Sequence, residues 1–75
     1  MDYKSNIIGE RLRLIRQSQK LSLGDVEKEL GINKSTLANI ERGTKPASLS
    51  MVITLADYFN VSVDYLLGRT DRKEL

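Results

Sequence analysis

The chain has 75 residues, of which 40% are hydrophobic and 29% charged, a composition typical of one small globular domain rather than a disordered segment. Cysteine and histidine are absent, which excludes disulfide frameworks, thiolate metal sites and histidine-dependent catalysis. No run approaches the roughly 18 apolar residues of a membrane span, and residues 1–20 contain no apolar secretion signal. The formal charge of +2 excludes a large polycationic surface, so any nucleic-acid binding depends on where the cations lie.

The first predicted helix is capped at Ser5 or Asn6 and runs to about Gln19. Its core stripe follows i, i+4, i+7 spacing and consists of Ile8, Leu12 and Ile15. Ile7 and Leu14 form a second, narrower stripe, for which extra packing is favoured over a partner site.

Three signals mark the start of the second helix. Ser22 is the N-cap, Asp25 is its capping-box partner, and Leu21 and Val26 have the spacing of a hydrophobic staple. Gly31 ends this helix and supplies the left-handed conformation that the following turn needs.

The third predicted helix begins after the N-cap Asn33 and ends before Gly43. Its core side consists of Thr36, Leu37 and Ile40. The opposite arc of roughly 140° holds five short or cationic residues, which are Lys34, Ser35, Ala38, Asn39 and Arg42. Such a face suits a DNA major groove, since amide, ammonium and hydroxyl groups can bind base edges and a methyl permits close approach. A merely polar helix surface is the alternative.

A fourth helix is predicted from the cap Ser48 to Phe59 or Asn60, with the apolar pattern of a core helix. A short fifth helix runs from the cap Ser62 through Leu67 to Gly68. Its apolar residues exceed what so small a domain can bury, so some are expected to form a partner surface. The predicted fold is all-α, a compact five-helix bundle in one domain (1–75), with an ordered core over 6–68 and a mobile charged tail over 69–75.

Residues spread along the chain carry a family resemblance. They are Ile8-Gly9, Leu12, Arg16, Leu21-Ser22, Leu30-Gly31-Ile32, Leu37, Ile40-Glu41-Arg42-Gly43, Pro46, Leu55-Ala56, Phe59, Val61-Ser62 and Leu66-Leu67. In this joint spacing, over residues 6–68, the sequence resembles the helix-turn-helix DNA-binding domains of phage lambda-type repressors and Cro, also called the xenobiotic-response-element family. The resemblance implies a reading role for the third helix.

The resemblance, together with the side-chain chemistry of the third helix, implies specific roles. The residues expected to read base edges are Lys34, Ser35, Ala38 and Asn39. Those expected at phosphates are Thr36, Arg42 and Lys45. Arg16 is expected to form an ion pair with Glu41 that fastens the first helix to the third. If that pair is partly buried, loss of one partner would cost several kcal/mol. The residues expected at a two-fold dimer contact are Val63, Tyr65 and Leu67.

Three features depart from the family pattern. Leu23 stands where many relatives have a phosphate-binding glutamine, although backbone N–H groups of that helix N-terminus can still bind a phosphate. Glu27 stands where alanine is usual, so its carboxylate must reach solvent or a cation such as Lys34. The loop after Gly43 is one residue longer than the commonest pattern.

The interpretation is a cytoplasmic transcriptional regulator, with repression favoured, that binds a pseudo-palindromic site on double-stranded DNA as a homodimer. The alternative is a protein-interaction module, such as an antitoxin or regulator partner, that uses Ile7, Leu14 and the fifth helix. No enzyme, cofactor, small-molecule substrate or membrane contact is expected. No metal site is expected either, because the carboxylates of Asp25, Glu27 and Glu29 surround one helix and no loop adds oxygen ligands.

Overall fold

The computed structural model describes residues 6–75, which contain five helices. They are α1 (Ile7–Ser18), α2 (Leu23–Leu30), α3 (Lys34–Arg42), α4 (Leu49–Phe59) and α5 (Val63–Leu67), and these residues form no strand. The predicted all-α, five-helix fold with a helix-turn-helix is confirmed. Over the same residues, no helix combines the length and apolar character needed to cross a membrane.

Local hydrogen bonds set most helix ends as predicted. Ser22 Oγ accepts the Asp25 N–H at 3.0 Å, and the Asp25 carboxylate accepts the Ser22 N–H at 2.8 Å, which completes the capping box of α2. The side chains of Ser48 and Ser62 cap α4 and α5 by accepting the N–H of the residue three positions later, without a reciprocal bond. Gly31 ends α2 with a φ of 72°, a conformation that disfavours any residue with a Cβ.

The start of α1 differs from the others. Asn6 occupies the N-cap position, but its side chain makes no capping hydrogen bond. The alternative cap Ser5 lies outside the described residues.

One core cluster joins the helices. α1 packs against α3 and α5, α2 packs against α3, and α4 packs against α5. The buried hydrophobic residues are Leu12, Ile15, Val26, Leu37, Ile40, Val52, Leu55, Ala56, Phe59, Val61, Tyr65 and Leu66. A Cβ on Gly9 would collide with the carbonyl oxygens of Ile40 and Glu41, so this glycine lets α1 cross α3 at close range.

α4 is a core helix as predicted, but two of its apolar residues lie outside the core. Leu49 is 65% exposed and Ile53 is 44% exposed. They flank the stripe that α4 turns towards the core, which consists of Val52, Leu55, Ala56 and Phe59. The apolar pattern therefore overstates how much of α4 the bundle covers.

The C-terminal segment, which the sequence predicts to be a charged tail, is hydrogen-bonded to the start of α5. The Ser62 N–H donates to the Lys73 carbonyl at 2.9 Å, and the Ser62 hydroxyl donates to the Arg72 carbonyl at 3.3 Å. Residues 72 and 73 therefore run beside the start of α5.

Arg11 of α1 also binds the C-terminal segment. Its guanidinium donates to the Thr70 carbonyl at 2.6 Å and to the Asp71 carboxylate at 2.8 Å. It also lies 4.4 Å from the ring centroid of Tyr65 and donates to that residue's carbonyl at 3.0 Å. The Arg11 side chain is only 16% exposed. Its cation–π contact and its hydrogen bonds are therefore partly shielded from water, which strengthens them.

Candidate nucleic-acid interface

The N-terminus of α3 is held by the turn and by α2. Asn33 Oδ1 accepts the N–H groups of Ser35 at 2.8 Å and Thr36 at 3.4 Å. Glu27 of α2 accepts the Lys34 N–H through Oε2 at 3.2 Å. Glu27 therefore finds the backbone amide of Lys34 as a partner, where the sequence suggested solvent or the ammonium group. The first three N–H groups of α3 are thus satisfied within the protein, which fixes the start of the helix.

The two sides of α3 differ as the sequence predicts. Leu37 and Ile40 are buried, at 3% and 2% exposure. The four residues predicted to read bases are accessible, with Lys34 and Ser35 exposed and Ala38 and Asn39 half-buried. The helix therefore presents a short-chained, hydrogen-bonding face to solvent while its apolar side is anchored in the core.

Asn39 is fixed from the C-terminal end of α3. Arg42 donates a short hydrogen bond to its side-chain oxygen Oδ1. The Asn39 carbonyl accepts the Thr44 N–H at 2.9 Å and the Thr44 hydroxyl at 3.2 Å. An amide oxygen has two lone pairs, so Oδ1 retains one acceptor site and the amide nitrogen retains its two donors.

The predicted phosphate contacts lie at different depths. Arg42 and Lys45 are exposed, whereas Thr36 is half-buried and donates its N–H to Asn33. Lys45 follows Gly43 and Thr44, which close α3 by hydrogen bonds to Ile40 and Asn39. The loop that carries Lys45 is therefore fixed to the end of α3, because Thr44 donates to the Asn39 carbonyl.

The predicted ion pair between Arg16 and Glu41 forms with two hydrogen bonds. Arg16 Nε donates to Glu41 Oε2 at 2.7 Å, and Arg16 Nη2 donates to Oε1 at 2.9 Å. A third donor, Nη1, reaches the Leu21 carbonyl at 2.9 Å, and the two side chains are 12% and 9% exposed. These hydrogen bonds outweigh the effect of burial and raise the pKa of Arg16, so the guanidinium stays charged. One side chain thus connects α1, the entry to α2 and the end of α3.

Comparison with known proteins places this arrangement in a family. A family model described as helix-turn-helix matches residues 12–66, which is more than half of the chain. The chain belongs to the helix-turn-helix family. This confirms the resemblance to the Cro and lambda repressor type. The family is not an enzyme family, in agreement with the expectation from the sequence.

Individual relatives agree with this assignment. The chain is 39% identical over 62 residues to the Bacillus subtilis HTH-type transcriptional regulator YobD, and 40% identical over 65 residues to AnsR, an HTH-type transcriptional regulator of the same organism. These alignments cover 83% and 87% of the chain but 55% and 56% of the relatives. The chain therefore spans little more than half the length of these two regulators.

A solved structure shows the same helix-turn-helix arrangement. It is the S. venezulae BldD DNA-binding domain, which superposes with a TM-score of 0.75 at 31% identity. The match covers 83% of this chain and 93% of the BldD domain.

The dimer candidates on α5 of the helix-turn-helix domain need one correction. Tyr65 is 5% exposed, because its ring packs in the core beneath the Arg11 guanidinium. It is therefore not a surface residue of this monomer. Val63 and Leu67 are half-buried and pack at the edge of the core. The accessible part of the proposed contact is consequently smaller than the sequence suggested.

Sequence reasoning missed Arg13 as a residue of this surface. It is exposed and lines a depression of about 250 Å³ together with Arg16, Leu23, Ala38, Glu41 and Arg42. The available signal was its spacing, since a residue three before Arg16 lies on the same side of α1. Among the cations of α1, the sequence assigned a role to Arg16 alone.

Proposed function

We propose that the chain is a DNA-binding domain of a transcriptional regulator that recognises a specific double-stranded sequence through α3. The observation that carries this proposal is the accessible row of Lys34, Ser35, Ala38 and Asn39 on a helix that is fixed at both ends. Two relatives are transcriptional regulators by name, and a similar structure is a DNA-binding domain. In the proposal, α3 lies in the major groove and these four residues contact base edges.

The proposal includes backbone contacts by Thr36, Arg42 and Lys45. Arg42 and Lys45 carry exposed positive charges at the end of α3 and in the loop after it, where they can bind phosphates beside the groove. Thr36, which is half-buried, contributes a hydroxyl close to the helix start. Arg16 and Glu41 do not contact DNA and keep α3 in position.

Homodimer formation on a pseudo-palindromic operator is part of the proposal. One short helix contacts only a few base pairs, whereas two copies about 34 Å apart read two half-sites and multiply the discrimination. Val63 and Leu67 of α5 are the proposed contact residues. Repression is the favoured outcome. A protein can repress by occupying a promoter, and this requires only that it binds DNA.

A protein partner is the second candidate function. Leu14, Leu49 and Ile53 are large hydrophobic residues with exposures of 59%, 65% and 44%. Exposed apolar side chains on α1 and α4 are compatible with an antitoxin or a regulator partner. They differ in part from the surface that the sequence suggested, which was Ile7, Leu14 and α5.

Selection of bound duplexes from a random DNA pool tests the proposed function. Purified, folded protein is used at a stated salt concentration, because the affinity for DNA depends on salt. We expect an inverted repeat with half-site centres about 10 base pairs, or a multiple of that, apart. Recovery of a single unrepeated site would contradict the dimer, and recovery of no sequence would favour the protein partner.

A further inference from the structure

The depression between α1, α2 and α3 lies beside the proposed base-reading face. Ala38 of that face forms part of its lining, and Leu23 of α2 and Arg13 of α1 form other parts. Its volume of about 250 Å³ leaves room for a phosphate group against these three helices. A DNA strand that borders the groove occupied by α3 would therefore pass over it.

The charges that line the depression are unequal. Glu41 is the one acidic residue among the lining residues, and both of its carboxylate oxygens accept hydrogen bonds from Arg16. Arg13 and Arg42 are exposed, and neither forms an ion pair within residues 6–75. The positive charges of Arg13 and Arg42 are therefore not neutralised by Glu41, whose carboxylate is already paired with Arg16.

The other lining residues narrow the chemistry of a ligand. The side chains of Leu23 and Ala38 offer only apolar contact, so polar recognition by side chains depends on the two guanidinium groups. A guanidinium matches two oxygens of a phosphate in a bidentate arrangement and retains its charge at any physiological pH. The ligand that fits is thus an anion with several oxygens on one centre.

We propose that Arg13 and Arg42 bind the same phosphate of the DNA backbone, one from α1 and the other from α3. This inference rests on the proposed function and adds α1 to the DNA-binding surface. The two arginines would hold the DNA backbone near the N-terminus of α2, where the side chain of Leu23 cannot bind a phosphate. Because Arg42 donates to Asn39 Oδ1 as well, the phosphate contact orients the amide that reads a base.

Single substitutions test this site. Arg13→Gln and Arg42→Gln remove one guanidinium each, and Arg69→Gln is the control, since Arg69 is an arginine outside the depression with a 74% exposed side chain. We expect Arg13→Gln to weaken operator binding about tenfold, as for loss of a hydrogen bond to a charged group. The slope of log K against log salt should become shallower by about one for Arg13→Gln and change less for Arg69→Gln. Thermal unfolding should be unchanged in Arg13→Gln, because the side chain is exposed.

Operators with one neutral methylphosphonate identify the phosphate. For the wild-type protein, one substituted position in each half-site should weaken binding strongly. For both Arg13→Gln and Arg42→Gln, the same methylphosphonate should cause no further loss of affinity. Different positions for the two variants would overturn the shared phosphate.

The proposed function and this site fail in distinguishable ways. A wild-type protein that binds its selected operator, with Arg13→Gln indistinguishable from Arg69→Gln, would disprove the phosphate site alone. A wild-type protein that binds no duplex at any salt concentration would overturn both.

Discussion

At the scale of single residues, Asn39 is the side chain on which the proposed reading of bases depends most. Its oxygen accepts a hydrogen bond from Arg42, and its carbonyl accepts two from Thr44. The side chain and the backbone are therefore both restrained before DNA arrives. A restrained amide with one free acceptor site and two donors can bind an adenine edge with little loss of conformational entropy.

Asn39→Ala and Lys45→Ala are expected to weaken binding in different ways. Asn39→Ala should cost about 1 to 3 kcal/mol on the operator and relax the preference at one position of each half-site. Lys45→Ala should weaken binding to all sequences alike and make the salt dependence shallower by about one in slope. Competition binding with operator and scrambled duplexes measures both effects. Equal losses on the two duplexes for both variants would contradict the assigned roles.

At the scale of elements, α2 is the helix whose ends are most strongly specified. Its capping box joins Ser22 and Asp25, its C-terminus closes at Gly31, and Val26 is fully buried between them. α2 in turn caps α3 through Glu27. Stability of α2 is therefore needed to keep α3 in place.

The capping box predicts a pH dependence of stability. The Ser22 N–H and, secondarily, its hydroxyl lower the pKa of Asp25 below its ordinary value of about 3.9. The folded protein thus binds fewer protons there than the unfolded chain, so the stabilisation is complete above that value and is lost as the pH falls through the folded pKa. Asp25→Asn should lower the free energy of unfolding at pH 7, and the difference from wild type should shrink below about pH 4.

Urea denaturation between pH 2.5 and 7 measures this difference. Glu29→Gln is the control. It neutralises an exposed carboxylate of the same helix, and Glu29 takes no part in the capping box. A gap between wild type and Asp25→Asn that is the same at pH 2.5 and pH 7 would argue against the carboxylate's role.

At the scale of the whole molecule, α1 connects parts of the chain that are distant in sequence. Arg16 reaches Glu41 on α3, and Arg11 reaches the segment after α5 through Thr70 and Asp71. Both arginines are less than one-fifth exposed. The position of α3 therefore depends on α1 as well as on the turn that precedes α3.

Arg16→Met is expected to destabilise the domain substantially. It leaves the Glu41 carboxylate without its charge partner in a largely buried site, which costs about 3 kcal/mol, the lower end of the range for buried pairs. The double variant Arg16→Met with Glu41→Leu should recover part of that loss, since neither charge remains. Arg69→Met is the control, because Arg69 and Asp64 form an exposed pair at 3.6 Å that should contribute less than about 1 kcal/mol.

Chemical denaturation of the four proteins provides the measurement. A loss for Arg16→Met no larger than that for Arg69→Met would show that the pair does not stabilise the fold. A double variant less stable than Arg16→Met would show that packing around residue 41, rather than charge, dominates.

The sequence by itself determined the helices and most of their ends. Ser22, Asn33, Ser48 and Ser62 cap as predicted, and Gly31 ends α2 in a left-handed conformation. These signals are local, since each depends on hydrogen bonds or steric limits within a few residues. The accessible face of α3 followed from helical periodicity for the same reason. The pairing of Arg16 with Glu41 came from the family resemblance and not from any local rule.

Only the tertiary structure decided which helix faces are covered. It buried Tyr65, exposed Leu49 and Ile53, placed Arg13 beside Arg42, and returned the C-terminal segment to Arg11. The Arg11 contacts join residues up to 60 positions apart. Periodicity identifies an apolar or charged face, but the neighbour that meets this face is set by packing of distant elements around one core, which no short stretch of sequence encodes.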